Sequence, residues 1–562
     1  MRLSDTRRSF GSSHFPGPGR SCHTGRTSAA PMTPRRVNPS GRQATGWRGE
    51  TAVRVVGSRS TAGLPWAPVS GKLHAMKSPS LEGRRLKSRF SAILFALSVL
   101  CGLSARAAEK MNIVLVMADD QGWADTGYNG HPDLKTPHLD AMAASGLRLN
   151  RAYTAHFNCS PTRASVLTGR HPHRMGTFGP GSPIRAQELT VAKVLQSAGY
   201  ATGHFGKWHL NGKSGDRDTK TAPGRAILAD DPLSPGKLGF DEWVSADNFF
   251  DLDPVLGRNG VVEKFQGDGS DIATDEALKF IRKQVGAGKP FFTVVWFGNP
   301  HTPHEALPAD KAPYAKLPAG DQNYYGEITG IDRNVGKLRA ALRELKVADN
   351  TLVWYTSDNG GAAGPKSTGN LRGSKGTLWE GGVRVPGLIE WPARIAKPFA
   401  SDVPSSTLDI YPTLLAATGA VAPGQVQPLD GVNLLPLLEG RMTARGKALP
   451  FCADARRPAA HSVWLDWPYK LHTGASANRG KKSPVNGEVK PVLLYDLSKD
   501  PNETTDLAAQ QPERVAEMTA ALAAWRTSVE KSLAGADYGE PLKEPAPAPK
   551  PPKKEKKKRP SP

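Results

Sequence analysis

The run Cys159-Ser160-Pro161-Thr162-Arg163-Ala164-Ser165-Val166-Leu167-Thr168-Gly169-Arg170 places one cysteine at the start of a segment that reads as a short helix. Pro161 is pre-organised for a helix start. The Cys159 side chain is therefore expected among unpaired backbone N–H groups at the positive end of the helix dipole, where anions collect. Arg163, one turn on, adds a fixed cation with a planar fork for oxyanions. Four oxygen donors stand elsewhere in the chain, as Asp119-Asp120 and Asp358-Asn359. Adjacent carboxylates repel unless a cation lies between them, and donors of this kind suit Ca2+ or Mg2+ better than zinc. Lys207 and His209, two apart beside a glycine, point the same way if the chain is extended. His301 and His304 lie in a stretch with two prolines that excludes a helix. With no Cys or third His nearby, a proton donor fits His301 better than a metal ligand.

These residues need strands to hold them. Residues 112–118 are an unbroken apolar run, the pattern of a buried parallel strand, and it ends in Asp119-Asp120. Sheets of that kind carry their sites at the C-terminal strand edges. Residues 291–297 and 351–356 read as two more strands, leading into the His301 stretch and into Asp358-Asn359. Residues 200–205 lead into Gly206-Lys207-Trp208-His209. A helix is predicted after Thr136 as N-cap with Pro137 in its first turn, and others over 190–197 and 271–283. Ile328, Ile331, Val335, Leu338, Leu342 and Leu345 step by three and four, the stripe of a helix packed on a sheet. Residues 214–267 are rich in Gly, Asp and Pro without clear period, so a long loop carrying substrate specificity is expected there. Past residue 440, short aromatic runs at 463–467, 469–472 and 492–497 predict a small antiparallel sheet. A helix with Val515, Met518, Leu522, Trp525 and Val529 on one face follows it.

The C-x-P-x-R element of Cys159, Pro161 and Arg163, followed by L-T-G-R, resembles the signature of the formylglycine-dependent (type I) sulfatases, which are arylsulfatase-like members of the alkaline phosphatase superfamily. The resemblance runs over about residues 110–530. It implies an α/β sandwich with a large, mostly parallel sheet flanked by helices, plus a small C-terminal antiparallel sheet with a helix. It also implies that Cys159 is oxidised to formylglycine (3-oxoalanine) by a maturation enzyme, and that the aldehyde hydrate is the nucleophile, passing through a covalent sulfate–enzyme intermediate. Carried over position by position, Asp119, Asp120, Asp358 and Asn359, with position 159, would hold Ca2+, or Mg2+. Lys207 and Lys375 would hold sulfate oxygens with that metal, and Arg163 would stabilise the hydrate. His301 would protonate the leaving oxygen and His209 would take the proton of the second hydroxyl. His304 has no assured counterpart and stands as a substrate contact. The implied substrate is a sulfated sugar or polysaccharide. Two rivals remain: a phosphonate or phosphate ester hydrolase of the same superfamily, and a secreted glycan-binding protein with no turnover.

The charge of +22 over 562 residues lies almost wholly at the ends: residues 108–540 carry a net charge of +1. That distribution argues against nucleic acid as a partner. Residues 1–75 are basic and poor in apolar residues, and are expected to be disordered, the product of an over-extended start. Residues 76–107 combine Met76, a basic stretch, an apolar run and Ala105-Arg106-Ala107, which is the plan of a secretory signal. The apolar run is too short to span a membrane, so the mature chain is expected to lack a transmembrane segment and to be periplasmic or secreted. Leu100 before Cys101 speaks against a lipid-anchored cysteine. The expected divisions are a catalytic domain over 108–440, a smaller subdomain over 441–540, and a Pro/Lys-rich disordered tail over 541–562.

Overall fold

Residues 110–212, 226–248, 252–474 and 492–539 are described by the computed structural model; the expected start region, the signal and the basic tail lie outside them. In chain order the strands are β1 (Asn112–Ala118), β2 (Leu147–Leu149), β3 (Ala152–Tyr153), β4 (Ala201–Lys207), β5 (Glu242–Ala246), β6 (Val255–Arg258), β7 (Val261–Lys264), β8 (Phe291–Trp296), β9 (Thr351–Ser357), β10 (Arg384–Val385), β11 (Gly387–Glu390), β12 (Phe399–Ser401) and β13 (Ser405–Ser406). They are followed by β14 (Leu449–Cys452), β15 (Ser462–Asp466), β16 (Tyr469–Thr473) and β17 (Leu493–Asp496). The principal helices are α1 (Pro137–Ser145), α2 (Cys159–Thr168), α3 (Val191–Ser197), α4 (Gly269–Gly286), α5 (Ala319–Glu344), α6 (Ile410–Thr418) and α7 (Pro512–Leu533).

Ten strands form one sheet in the order β12-β2-β11-β9-β1-β8-β4-β5-β6-β7. The five central strands, β9 to β5, are mutually parallel. β11 runs antiparallel beside β9, and β6 and β7 fold back antiparallel at the far edge. The side chains of β1 show why the sheet is covered on both faces. Ile113, Leu115 and Met117 enter one apolar core with α2, α3 and α6, while Val114, Val116 and Ala118 enter the other with α1, α4 and α5. Alternation of period two thus meets apolar packing on both sides, as a central parallel strand requires. Each fully buried Leu or Val in these layers stabilises the fold by about 1.5–3 kcal/mol relative to exposure.

A three-stranded sheet, β10-β3-β13, and the four-stranded antiparallel sheet β14-β15-β16-β17 complete the fold. The resemblance implied only the second of these small sheets. α7 buries Met518, Leu522, Trp525 and Val529, the face read from the sequence. Three further expectations are corrected. Within the 214–267 stretch, read as loop, the structure has β5, β6 and β7 at the edge of the large sheet; residues 213–225 and 249–251 lie outside the described set. The β6–β7 turn is Asn259-Gly260, with φ of 47° and 92°, the pairing that a two-residue hairpin demands. Strand β14 was not predicted. Thr136 precedes α1 as expected, but its hydroxyl does not cap that helix. It donates to Asp140 Oδ1 at 3.0 Å and accepts from the Gly127 N–H at 2.7 Å.

Candidate active site

Helix α2 begins at Cys159 and every one of its residues is buried. Asn158 is extended ahead of it, and the Thr162 hydroxyl donates to the His156 carbonyl at 3.0 Å, which fixes the entering chain. Pro161 stands at the third helical position rather than the first. Gly169 ends the helix at φ 69°, where a Cβ would lie 3.0 Å from Tyr411 Cβ. Arg170, the last residue of the motif, has no place in the anion pocket. It pairs with Glu188 Oε1 at 3.1 Å and Asp537 Oδ2 at 2.7 Å, clasping the end of α2 to the C-terminal segment.

Parallel register brings the other residues to Cys159. Ala118 pairs with Ser357 across β1 and β9, so Asp119 and Asp358 leave the sheet side by side. Gly206, Met117 and Trp296 are likewise level across β4, β1 and β8. Arg163 spans the gap: Nε and Nη2 donate to Asp358 Oδ2 at 3.0 and 2.7 Å, and Nη1 donates to the Lys207 carbonyl at 3.0 Å. Its guanidinium also lies 5.1 Å from the ring centroid of Trp296, a contact the sequence did not suggest. Lys207 Nζ donates to Asp119 Oδ2. Lys375, far away in sequence, pairs with Asp120 Oδ1 at 2.5 Å, and His301 Nε2 lies 3.9 Å from Asp120 Oδ2. Asn359 Nδ2 donates to Asp120 Oδ1 at 2.8 Å. Of the eleven residues singled out, nine are thus linked to one another, Cys159 through its closeness to Asp119 and Asp358; His209, two residues past Lys207, is the tenth and is buried near Lys207 and Arg163.

His209 departs from the extended pairing expected with Lys207. β4 ends at Lys207, and His209 has φ 57°. Asp120 has φ 70°. Two non-glycine residues in the left-handed region, both among the site residues, are backbone strain of the kind that a surrounding structure must hold in place. His304 does not join the group. Its Nδ1 meets Glu327 Oε2 at 3.1 Å, and its ring packs edge-on against Tyr324. Glu327 lies one residue before Ile328 of the predicted apolar stripe, so only its burial, invisible in sequence, marks it as a partner.

The charges explain each other. Burial alone would raise the Asp119 carboxyl, but Lys207 and Arg163 outweigh it and hold the group well below the usual range. Burial and the neighbouring Asp119 charge push Asp358 up, to about 7. Burial lowers His209 well below the usual histidine value, and Lys207 and Arg163 lower it further, so it is a neutral base. Burial also lowers His301, with Asp119 opposing. Burial pushes the Cys159 thiol up to about 11 despite Lys207. An unmodified Cys159 is therefore a thiol at neutral pH and a weak nucleophile. Unconverted protein is expected to resist iodoacetamide at pH 8 while folded and to take it up at Cys159 only after denaturation; peptide mass mapping would read this, and rapid labelling of the native protein would contradict it.

The donor set fits a hard divalent cation. Asp119 Oδ1 and Asn359 Oδ1 are buried oxygens without a hydrogen-bond partner, set among three carboxylates. The ligand atoms of Asp119, Cys159 and Asp358 lie within 4.8 Å of one another, as do those of Asp119, Asp120 and His301. Orphaned buried oxygens are costly unless a cation or donor meets them, and the four oxygen donors of Asp119, Asp120, Asp358 and Asn359 are of the kind that Ca2+ or Mg2+ takes.

The family model described as Sulfatase matches residues 111–420, and that described as N-sulphoglucosamine sulphohydrolase, C-terminal, matches residues 374–528. N-acetylgalactosamine-6-sulfatase of Sus scrofa is 31% identical over 461 residues, covering 72% of this chain and 83% of its own. Arylsulfatase A of Homo sapiens is 32% identical over 455 residues, covering 73% and 86%. The crystal structure of Ps i-CgsB in complex with k-i-k-neocarrahexaose superposes with a TM-score of 0.64 at 29% identity, covering 74% of this chain and 93% of that one.

Proposed function

The chain belongs to the sulfatase family, and from that premise we propose that it is a formylglycine-dependent, arylsulfatase-like member of the alkaline phosphatase superfamily that removes sulfate from a sulfated sugar or polysaccharide, with position 159 as nucleophile once a maturation enzyme has converted Cys159 to formylglycine. The observation that carries this reading is the placing of Cys159 at the start of a buried helix, with Asp119 and Asp358 on one side and Arg163, Lys207 and Lys375 ringed around it.

A sulfate monoester needs cations for its oxygens, a nucleophile that tolerates its charge, and a proton for the departing alcohol. Lys207 and Lys375 grip the sulfate oxygens by charge-assisted hydrogen bonds. Ca2+ or Mg2+, held by Asp119, Asp120, Asp358 and Asn359, would neutralise sulfate charge and make a hydroxyl at position 159 more acidic. Arg163 would steady the aldehyde hydrate at position 159 as one of its hydroxyls, its proton passing to a neighbouring carboxylate, attacks sulfur. His301, the more exposed of the two histidines, gives its proton to the leaving oxygen as the S–O bond to the alcohol breaks. His209, buried and neutral, would then take the proton of the remaining hydroxyl; the freed O–H bond pair would form the aldehyde carbonyl as the C–O bond to the sulfate breaks and its pair leaves with sulfate. Export to periplasm or medium belongs to the same reading, supported by the signal pattern of residues 76–107. Among the described residues no helix is long and apolar enough to cross a membrane.

The test is release of inorganic sulfate from 4-nitrophenyl sulfate, N-acetylgalactosamine 6-sulfate and kappa/iota-carrageenan oligosaccharides, using protein whose Cys159 peptide has the lower mass of an aldehyde. Turnover of at least one is expected. Hydrolysis of a phosphonate monoester with none of a sulfate would instead favour the phosphonate reading. The metal has its own readout: Ca2+ at about 100 times its Kd adds about 2.7 kcal/mol of stability. The Tm is expected to rise accordingly and the rise to be lost in Asp120→Asn; a Tm indifferent to Ca2+ and Mg2+ would remove the metal from the scheme.

A further inference from the structure

Lys375 sits on the segment between Leu371 and Gly381, and that segment has little secondary structure of its own. Its backbone is pinned to the active-site side at two points. The Lys375 N–H donates to the Gly361 carbonyl at 3.1 Å and the Gly376 N–H donates to the Phe157 carbonyl at 3.2 Å. A further set of restraints comes from the small antiparallel sheet and converges on Glu503.

Glu503 lies just past β17, is fully buried, and has φ 54°. Its Oε2 accepts from the Glu380 N–H at 2.7 Å. Its Oε1 meets Lys470 Nζ at 3.0 Å and His472 Nε2 at 2.8 Å. Its carbonyl accepts from Arg372 Nη1 at 2.8 Å, and the same guanidinium nitrogen reaches Tyr495 Oη at 3.1 Å. Trp379 is sandwiched: the Arg372 guanidinium is 3.6 Å from its ring centroid on one face, and His472 is stacked at 4.2 Å on the other. Lys470 Nζ also holds Glu380 Oε1 at 2.9 Å, and Glu380 Oε2 accepts from the Tyr153 hydroxyl at 3.0 Å. Arg372 and Glu380, three residues before and five after Lys375, are therefore both fixed by one carboxylate residue that is distant in sequence. A fully buried carboxylate with both oxygens engaged, in a strained backbone conformation, is costly unless the placement it enforces matters.

We propose that Glu503 is a positioning residue that sets where Lys375 stands in the anion pocket, acting through Arg372 and Glu380. This rests on the reading of Lys375 as a sulfate-holding cation. The network also explains why Gln is a poor substitute. If the amide oxygen faces the Glu380 N–H, the amide NH2 faces the Lys470 ammonium; if it is turned round, the NH2 faces the Glu380 N–H. Either way a donor meets a donor, and the 371–381 segment has to shift.

The experiment is a double-mutant cycle on the full chain, reading the Kd of inorganic sulfate by calorimetry and KM and kcat for 4-nitrophenyl sulfate, with Tm measured alongside. Glu503→Gln is expected to weaken sulfate binding about tenfold and to raise KM in parallel, while in a Lys375→Ala background it adds nothing further. Arg372→Lys, which cannot reach both Tyr495 and the Glu503 carbonyl, is expected to give the same coupling and carries the cycle if Glu503→Gln does not fold. A lowered Tm with unchanged sulfate Kd, or losses that add in the Lys375→Ala background, would overturn the proposal. Wild-type protein that binds sulfate with this coupling yet hydrolyses no sulfate ester would keep the proposal and overturn the proposed function instead.

Discussion

Cys159→Ala is expected to lower sulfate ester turnover by at least about 10^4-fold, the scale seen when a covalent nucleophile is removed and binding groups remain. Lys207, Lys375 and the divalent cation would still bind the anion, so inorganic sulfate should retain much of its affinity for the variant. Cys159→Ser separates two parts of the mechanism. Its hydroxyl can accept sulfate, but a serine sulfate has no second hydroxyl for His209 to deprotonate, so it cannot expel sulfate by elimination. The expected result is at most one equivalent of alcohol released per enzyme, with the sulfate retained on the protein, read by rapid-quench assay and intact mass. Sustained turnover by Cys159→Ser would remove the aldehyde hydrate from the mechanism while leaving the anion pocket in place.

The second large effect is on stability. Arg163 is fully buried, donates twice to Asp358 and once to the Lys207 carbonyl, and lies 3.5 Å from Asp119 Oδ2. Arg163→Ala leaves an acid in a dry site with its best partner gone, a change that costs about 3–5 kcal/mol. A control is available in Arg394, half exposed and paired at 3.3 Å with Glu439, where truncation to Ala should change stability by no more than about 0.5 kcal/mol. Thermal unfolding should separate the two variants clearly. Saturating Ca2+ should narrow the gap, because a cation takes over part of the charge balance at Asp119 and Asp358; a gap that widens with Ca2+ would mean that Arg163 does not share those acids with the metal. Arg163→Lys should fall between, since one ammonium cannot replace the guanidinium fork.

The sequence was most readable where the chemistry of a strand leaves no choice. β1, β8 and β9 are buried on both faces, so their residues are mostly apolar, and each leads into a polar cluster. The site residues at those ends followed directly. β6 and β7 were hidden because strands near a sheet edge need only half their residues apolar, and Val261 is 71% exposed on β7; β5, inside the sheet, is only five residues long and begins with Glu242. The Asn259-Gly260 pair was the available signal for that hairpin. β14 contains Pro450 and has only four residues, too few for a pattern. Lys375 could be assigned a role only through the family resemblance, because no periodicity links it to Asp120. Glu503 could not be assigned one at all: a lone acid after a short strand looks like a turn until its burial and four partners are known. His209 was read as extended beside Lys207, but it has φ 57° past the strand end, a conformation that leaves no trace in composition.

The order of the strands sets a timetable. β1 is the first strand made, yet its neighbours come from segments about 180 and 240 residues further on, as Asn112 shows by meeting Phe291 and Thr351 at separations of 179 and 239. A ribosome therefore delivers Cys159 long before the sheet that will enclose it can assemble, and at about 5–20 residues per second the interval is on the order of ten seconds or more. In the finished fold the Cys159 side chain is 1% exposed and its helix is covered throughout. On the proposed reading, a maturation enzyme would meet that side chain in the interval before the residues that cover its helix, Thr407 and Tyr411 among them, have been made. Any change that let β1 find a partner sooner would trade faster folding for incomplete conversion.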